Sequence, residues 1–353
     1  MLSSKIVPKA WTRTLGTRLV TTTAASVCNA LGSPLSYQLD WPVPSPSKNQ
    51  VMIKVAATGV NFAEILQTRG LYQEKKEPPF VPGNECAGEV CEVGPGSSRL
   101  EIGDKVICLA RGNGYAGHVV ADARACIKLP PAAASADLAE AAALLVNYGT
   151  AHLALGDRAG LRSGETVLVT AAAGGVGMAA VELANLMGAG KVIAAVGSPP
   201  KLEFARSKGS AVDVGVVYEG LDQRGVRGAI KEAAPDGVDV VVDMVGADVL
   251  EPCLRSLRWG GRGVVIGFAG GSIPAIPSNV LLVKNISVHG LFWGAHLLND
   301  PDTLLRSAEQ LVDWWLAGDV KPHICERVPL DDANRAFQLL DGRGSTGKVV
   351  LIP

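Results

Sequence analysis

The chain has 353 residues, of which 48% are hydrophobic and 19% charged, and its formal net charge is −1. This composition excludes a disordered chain, and the near-zero charge gives no basic field that would attract nucleic acid. No stretch approaches the roughly 18 uncharged apolar residues that a membrane-spanning helix needs. We therefore expect a globular protein of about two domains with no nucleic-acid or membrane partner.

The first residues of the chain have the composition of a targeting segment. Basic residues but no acidic residue precede Asp40, and most of the basic positions share one side of a helical wheel. An amphipathic, acid-free start is typical of mitochondrial transit peptides. We interpret residues 1–24 as such a segment, exclude them from the fold, and expect the mature protein to begin between Arg18 and Ser26. The predicted location is the mitochondrial matrix, with the cytoplasm as the alternative.

From about Ser26 to residue 130, the pattern predicts short strands separated by turns. Segments such as "NQVMIKVAATGV", "GEVCEVGPG" and "GDKVICLA" are bounded by glycine, proline and aspartate. After Pro131 a helical pattern begins, and helices then alternate with the strands "ETVLVTA", "KVIAAVG", "VDVVVDMVG" and "GRGVVIGFAG". This alternation, with continuously apolar strands, predicts an α/β fold with a parallel sheet covered on both faces. Two helices and a last strand, "GKVVLIP", complete the pattern.

The stretch "VLVTAAAGGVGMAAVELA" places a glycine-rich turn between a strand and a helix. Ala171, Gly174 and Gly177 fit the spacing AxxGxxG. Such a turn exposes backbone amides and a helix N-terminus at the ligand-binding edge of a parallel sheet, and both suit a phosphate. Gly174 and Gly175, with Val176 in the same turn, would let the backbone approach a pyrophosphate, and Gly177 would let the helix pack on the strand. The turn therefore predicts a dinucleotide site.

The next strand predicts which nicotinamide cofactor is used. A site selective for NAD places Asp or Glu at the end of this strand, where it accepts the ribose 2′-hydroxyl. Here the strand ends in "GSPPK", and no acidic residue occurs between Lys191 and Lys201. Ser198 would bond a 2′-phosphate, and Lys201 would supply its counter-charge. We therefore expect NADPH as the cofactor.

Further motifs follow in a recognisable order: "GVNFAEILQTRGLYQ", "PFVPGNECAGEVCEVGPG", "GDKV", "NYGTAHLAL", "GETVLVTAAAGGVG" and "STGKVVLIP". With them the chain, from about residue 26 to its end, resembles the zinc-free quinone oxidoreductase (zeta-crystallin) branch of the medium-chain dehydrogenase/reductase superfamily. The resemblance implies a GroES-like β domain at residues 25–150, completed by residues 295–353. It also implies an inserted Rossmann domain with a doubly wound parallel sheet at residues 151–294.

The residues that bind zinc in other members of that superfamily are missing from this sequence. Zinc-dependent members use an early cysteine, a histidine in a "GHE" stretch and a further cysteine. Here the first region is "TGVNFAEI", and "GNE" places Asn84, whose amide is a poor zinc ligand, where the histidine would stand. The seven cysteines are scattered, which argues against a four-cysteine zinc lobe and a disulfide framework. We expect no metal, and therefore an acceptor that is itself electrophilic.

The resemblance also implies which residues surround the reacting groups. Asn61, in "GVNF", would lie beside the nicotinamide ribose or the substrate carbonyl, with a role in both catalysis and cofactor binding. Tyr72, in "RGLYQ", matches a tyrosine of the catalytic cleft. Leu66 replaces a second family tyrosine, which leaves a two-tyrosine quinone site in question. The other cofactor contacts implied by the resemblance are Thr150, Tyr218, Phe268 and Arg343.

These observations predict an NADPH-dependent oxidoreductase that passes a hydride to a small quinone or α,β-unsaturated carbonyl. An enoyl-thioester reductase in mitochondria is an alternative, with Tyr72 as the proton donor to the enolate. A third hypothesis is an NADPH-binding sensor or structural protein with little catalysis. The resemblance further implies a homodimer, in which a strand predicted at residues 285–294 pairs with its copy across a two-fold axis.

Overall fold

A computed structural model describes residues 21–97, 99–207 and 212–353. Its first strand, β1 (Thr21–Val27), pairs antiparallel with β2 (Ser36–Val43). Thr23 is buried within β1, so the exclusion of residues 21–24 from the fold was wrong. Backbone hydrogen bonds to β2 extend the strand into this threonine run, which has no apolar side chains to predict it. The rest of the predicted transit segment, residues 1–20, lies outside the described residues.

A seven-stranded sheet forms the first domain, and the end of the chain completes it. The strands are β3 (Gln50–Val60), β4 (Glu85–Val93), β5 (Lys105–Leu109), β6 (His118–Asp122), β7 (Cys126–Lys128), β14 (Ile324–Pro329) and β15 (Lys348–Ile352). Their order is β14-β15-β3-β4-β5-β7, with β6 also paired to β3. Helix α1 (Phe62–Thr68) follows β3 directly, with Asn61 as its N-cap. The last strand of the chain therefore lies beside the strand that leads to Asn61.

A six-stranded parallel sheet forms the second domain. The strands are β8 (Thr166–Val169), β9 (Lys191–Val196), β10 (Val214–Val217), β11 (Val238–Asp243), β12 (Leu257–Val265) and β13 (Ser287–Gly290). They lie in the order β10-β9-β8-β11-β12-β13, and every pair is parallel. The order reverses between β8 and β11, which makes this gap the topological switch point. The predicted α/β class with a doubly wound parallel sheet is confirmed.

Helices pack on both faces of the parallel sheet and link it to the first domain. Val167 and Val169 of β8 belong to one apolar core and Leu168 to the other, so that successive residues of the strand pack on opposite faces of the sheet.

No described helix is long and apolar enough to cross a membrane. The helices after α1 are α2 (Leu138–Ala142), α3 (Leu145–His152), α4 (Gly175–Leu186), α5 (Pro199–Ser207), α6 (Gln223–Ala233), α7 (Ala247–Arg255), α8 (Ser278–Lys284), α9 (His296–Asn299), α10 (Pro301–Ala317) and α11 (Ala333–Asp341).

Strand β13 lies at the edge of the parallel sheet and is shorter than the strand predicted at residues 285–294. Asn285 ends α8 in a left-handed conformation (φ 52°), and Trp293–Ala295 form a 3-10 turn, so neither end of the predicted strand is extended. Among the described strands, β13 pairs only with β12. Pairing of its free edge with a second copy stays a prediction, which light scattering at micromolar concentration can test.

The turn between β8 and α4 brings backbone atoms closer than a side chain would allow. A Cβ at Gly177 would lie 2.2 Å from the carbonyl oxygen of Ala171. Ala171 itself has φ 46°, a left-handed conformation that costs a non-glycine residue roughly 1–2 kcal/mol. The last glycine of the AxxGxxG motif is therefore required by the packing of α4 on its own turn.

We predict that Gly177→Ala lowers the free energy of unfolding by about 1–3 kcal/mol, because α4 must move away from a backbone oxygen that cannot yield. Thermal unfolding followed by circular dichroism measures the loss. The matched control is Gly228→Ala in α6, where no atom lies within 4 Å of the new Cβ. There alanine should stabilise the helix by up to about 1 kcal/mol. Equal effects of the two substitutions would contradict the packing argument.

Candidate active site

Several of the predicted cofactor residues lie along one edge of the parallel sheet. Ala171 follows β8, Ser198 follows β9, Tyr218 follows β10 and Phe268 lies just beyond β12. The carboxyl ends of parallel strands form the ligand crevice in folds of this type. Phe268 also packs on the loop after β11, since a Cβ at Gly246 would lie 2.7 Å from its ring. The topology thus brings residues from four strand ends to one crevice.

The N-terminus of α4 points its free amides into this crevice. Gly174 is the N-cap, and the amides of Gly175, Val176 and Gly177 belong to the first turn, where a helix offers no internal acceptor. These amides, together with the positive end of the helix dipole, suit a pyrophosphate. The helix has twelve residues, so its dipole is fully developed.

Asn147, which the sequence analysis missed, lies directly against this turn. It comes from α3 and is 6% exposed. A Cβ at Gly175 would lie 2.4 Å from Asn147 Nδ2, so Gly175 makes room for this side chain as well as for a ligand. The side chain of Asn147 forms no hydrogen bond within the described part of the chain, and it lines a small cavity with Gly175 and Lys348. A polar residue inside the apolar run "ALLVNYG" was the available signal.

The C-terminal segment of the chain holds the same turn from the other domain. The amide of Gly347 donates to the carbonyl oxygen of Ala173 at 2.9 Å, and Gly347 forms a parallel bridge with Gly174. Gly347 has φ 77°, and a Cβ there would lie 2.6 Å from the carbonyl oxygen of His323. The phosphate turn is therefore fixed to the segment that leads into β15.

Two cationic side chains, Lys201 and Arg343, act on each other across the crevice. Burial lowers the pKa of Lys201, and the positive charge of Arg343 lowers it further, while Glu219 opposes the change. Burial is also the main cause that raises the pKa of Tyr218 to about 12, and Arg343 again acts on it. Tyr218 packs beside Gly197, immediately before Ser198. Ser198, Lys201 and Tyr218 thus lie at or just after the ends of β9 and β10. Arg343, whose Nη2 donates to the carbonyl oxygen of Ala269 at 3.4 Å, lies close enough for its charge to act on Lys201 and Tyr218. We call these four residues the cationic corner, in which an anion would stabilise the two like charges.

Asn61 belongs to a buried polar network rather than to an open surface. Its Oδ1 accepts from Lys348 Nζ at 2.6 Å, and its Nδ2 donates to Glu85 Oε1 at 3.1 Å and to Glu64 Oε1 at 3.4 Å. Both amide protons are committed, so the free hydrogen-bonding capacity of the side chain is a lone pair on Oδ1. Asn61 can therefore accept a bond from a ribose hydroxyl, but it has no proton left to orient a substrate carbonyl.

Lys348 and Glu85 form the centre of this network. Their side chains are 3% and 0% exposed, and Nζ lies 2.5 Å from Oε1. The other oxygen of Glu85 accepts from the amide of Val146 at 2.8 Å. Gly59 leaves the space that the pair needs, because a Cβ there would lie 2.4 Å from Glu85 Oε1. Neither member of this ion pair is among the residues predicted from the sequence.

Glu64 holds two asparagines of the first domain. It accepts from the backbone amide of Asn61 at 2.8 Å, and from the amide and Nδ2 of Asn84 at 3.0 and 2.8 Å. Burial raises the pKa of Glu64 to about 7, and the charge of Lys348 opposes this. Asn84, the residue at the position of the family's zinc-ligand histidine, is thus bonded to a carboxylate. Among the described residues, no group of three or more histidine, cysteine or acidic side chains is placed to hold a metal.

Tyr72 stands after α1 at the mouth of the crevice. Its amide donates to the carbonyl oxygen of Leu66 at 3.2 Å. Burial is the largest cause that raises its pKa to about 12, and Glu74 and Glu64 add to it, so the phenol is protonated at neutral pH. Its ring meets that of Phe292 edge-on, with centroids 6.0 Å apart. Phe292 was not among the predicted residues.

Thr150 lies on α3, which borders the crevice, and is 5% exposed. The next polar residue of the helix, His152, contacts α10 instead of the crevice. Its Nδ1 lies 2.7 Å from Ser307 Oγ, and its ring packs edge-on against Trp314 of α10. Of these two residues, the structure therefore leaves Thr150 as the candidate for contact with a cofactor.

We predict that Lys348→Met lowers the free energy of unfolding by about 3–5 kcal/mol, because it leaves the Glu85 carboxylate buried without a counter-charge. Urea denaturation measures the change. The double variant Lys348→Met/Glu85→Gln should recover part of the loss, since it removes the stranded charge. If the double variant were as unstable as the sum of the two single variants, the two residues would not act as a pair.

Comparison with known proteins agrees with this architecture. Residues 47–131 match the alcohol dehydrogenase GroES-like domain, and residues 175–310 match the zinc-binding dehydrogenase family. The chain is 42% identical to quinone oxidoreductase-like protein 2 of Mus musculus, over 93% of this chain and 91% of the mouse protein.

Two solved structures are also similar. One is the quinone oxidoreductase of Thermus thermophilus, solved alone and with NADPH, with 33% identity, a TM-score of 0.78, and coverage of 94% of this chain and 100% of that one. The other is Escherichia coli quinone oxidoreductase complexed with NADPH, with 27% identity, a TM-score of 0.82, and coverage of 94% and 99%. The chain therefore belongs to the medium-chain dehydrogenase/reductase family, in the group of quinone oxidoreductase-like protein 2 and its homologues.

Proposed function

We propose that this protein is a zinc-free oxidoreductase that uses NADPH to reduce a quinone or an α,β-unsaturated carbonyl compound. The observation that carries the proposal is the corner formed by Lys201, Arg343, Ser198 and Tyr218, one strand away from the phosphate turn. Quinone oxidoreductases of the same fold are complexed with NADPH, which supports the same cofactor for this chain.

The residues present fit this cofactor. The cradle at Gly174–Gly177 would receive the pyrophosphate, and the unpartnered amide of Asn147 would add a donor beside it. The cationic corner would receive the 2′-phosphate, and Asn61 would accept a hydroxyl of the nicotinamide ribose. NADPH, when bound, supplies a hydride from its nicotinamide ring. The protein would then hold NADPH and the acceptor in contact and shield them from water.

The side chains of the first domain that line the acceptor end of the crevice indicate which kind of acceptor the protein reduces. Both amide protons of Asn61 are bonded to glutamates, so Asn61 cannot polarise a simple carbonyl, and Asn84, which donates to Glu64, has at most one amide proton left for it. An acceptor activated by its own conjugation needs no such help. Tyr72 is a titratable side chain that reaches this end from the first domain. As a neutral phenol it can donate a proton to an enolate, which keeps the enoyl-thioester reductase as a second candidate.

An acceptor panel tests the proposed function. We predict that the protein oxidises NADPH in stopped-flow assays with quinones and enones. Tyr72→Phe should slow enone reduction by roughly 10²–10⁴-fold if Tyr72 is the proton donor, and should slow quinone reduction much less. Turnover confined to crotonyl thioesters would favour the enoyl-thioester reductase instead. Tight NADPH binding with no turnover on any acceptor would favour the sensor or structural protein.

Cofactor choice is tested at Lys201. We predict that Lys201→Ala weakens NADPH binding by roughly 5- to 150-fold, since a charged contact to the 2′-phosphate contributes on the order of 1–3 kcal/mol, and leaves NADH binding almost unchanged. Isothermal titration calorimetry with each cofactor measures the difference. The control is Lys231→Ala, which removes a lysine from the last turn of α6, away from the crevice. Equal losses for NADPH and NADH would contradict this assignment.

A mitochondrial location and a homodimer remain parts of the proposal that rest on the sequence pattern and the resemblance. The acid-free start supports import, and N-terminal sequencing of the purified mature protein would decide it. An intact Met1–Arg18 segment would contradict cleavage.

A further inference from the structure

The order of the strands sets the order of the groups along the crevice. The cationic corner lies at the ends of β9 and β10, and the phosphate turn lies at the end of β8. A dinucleotide held at these two points has its nicotinamide end directed toward β11 and β12, where Phe268 stands. The segment that follows β13 is therefore the next position along the same edge, on the side of the acceptor.

Phe292 occupies that position and is held there by its neighbours. The amide of Leu291 donates to the carbonyl oxygen of Val265 at 3.0 Å. Trp293 is 6% exposed and packs on α3 so closely that a Cβ at Gly149 would lie 2.6 Å from its ring. Between these two anchors, Phe292 remains 43% exposed. The backbone is thus fixed while the ring stands out from the surface.

The ring of Phe292 faces Tyr72 from the opposite domain. The planes make an angle of 75° with centroids 6.0 Å apart, which is an edge-to-face contact. The mouth of the crevice therefore carries two aromatic rings in contact, one from each domain.

We propose that Phe292 is a specificity-determining residue, and that with Tyr72 it selects flat, conjugated acceptors such as bicyclic quinones over small aliphatic enones. The inference rests on the proposed function and deepens it. A flat conjugated ring can stack on or against aromatic side chains, whereas a small aliphatic enone has little surface to offer. Phe292 carries no titratable group, so its effect is on the choice of acceptor and not on proton transfer.

The test compares Phe292→Leu with wild type on 1,4-naphthoquinone and on methyl vinyl ketone. Leucine keeps an apolar side chain and removes the ring. We expect kcat/KM for the quinone to fall roughly tenfold, and that for the enone to change less than about twofold. Phe292→Tyr should retain the preference, and the KM for NADPH should not change. The control is Trp259→Leu, which removes an exposed ring from the first part of β12, away from the crevice.

A binding measurement separates this inference from the proposed function. Calorimetric titration of the NADP⁺-loaded protein with 1,4-naphthoquinone should show weaker binding to Phe292→Leu than to wild type or to Trp259→Leu. Turnover with an unchanged quinone-to-enone ratio in Phe292→Leu would overturn the inference and leave the proposed function intact. No turnover of any acceptor by wild type would overturn the proposed function. The titration would then decide alone, and quinone binding that is absent or insensitive to Phe292→Leu would overturn the inference as well.

Discussion

The buried ion pair between Lys348 and Glu85 is the interaction on which the rest of the site depends. Two charges removed from water are stable together only when their remaining polar atoms are also satisfied, and here Asn61 and the amide of Val146 complete the set. The pair therefore links α1, β4, α3 and β15 in one arrangement. Because Gly347, the residue before Lys348, bonds to the turn after β8, the same arrangement also sets how the first domain meets the phosphate turn.

The order of the strands in the parallel sheet sets the order of the binding groups along the crevice. Along its carboxyl edge lie, in this order, the cationic corner at the ends of β10 and β9, the turn with free amides after β8, and the aromatic side chain of Phe268 after β12. The opposite wall comes from the first domain and carries Asn61 and Tyr72. A cofactor and its acceptor held between these walls need few groups with unusual reactivity, since proximity and exclusion of water account for much of the rate.

The asparagines show why residue type alone does not define a role. The side-chain amides of Asn61 and Asn84 donate to buried glutamates, so these two residues organise the wall of the crevice. Asn147 is buried to about the same degree as Asn61, but its side chain has no hydrogen-bond partner among the described residues and lies against the phosphate turn. Of these two buried asparagines, only Asn147 is free to donate to a ligand. An amide that is already bonded gains little by binding, whereas one without a partner gains a hydrogen bond.

The sequence by itself determined the features that depend on local periodicity and turn chemistry. The alternation of strands and helices, the turn from Ala171 to Gly177, and the absence of an acidic residue after β9 can all be read from neighbouring residues. Other features depend on contacts between distant segments. Lys348 and Glu85 are 263 positions apart, and the ring of Tyr72 meets one that follows β13. The strand at Thr21–Val27 exists because β2 pairs with it, and β13 is short because Asn285 turns left-handed at the end of α8. Periodicity specifies which face of an element is apolar, but only the packed structure decides which charges, amides and rings meet across the domains.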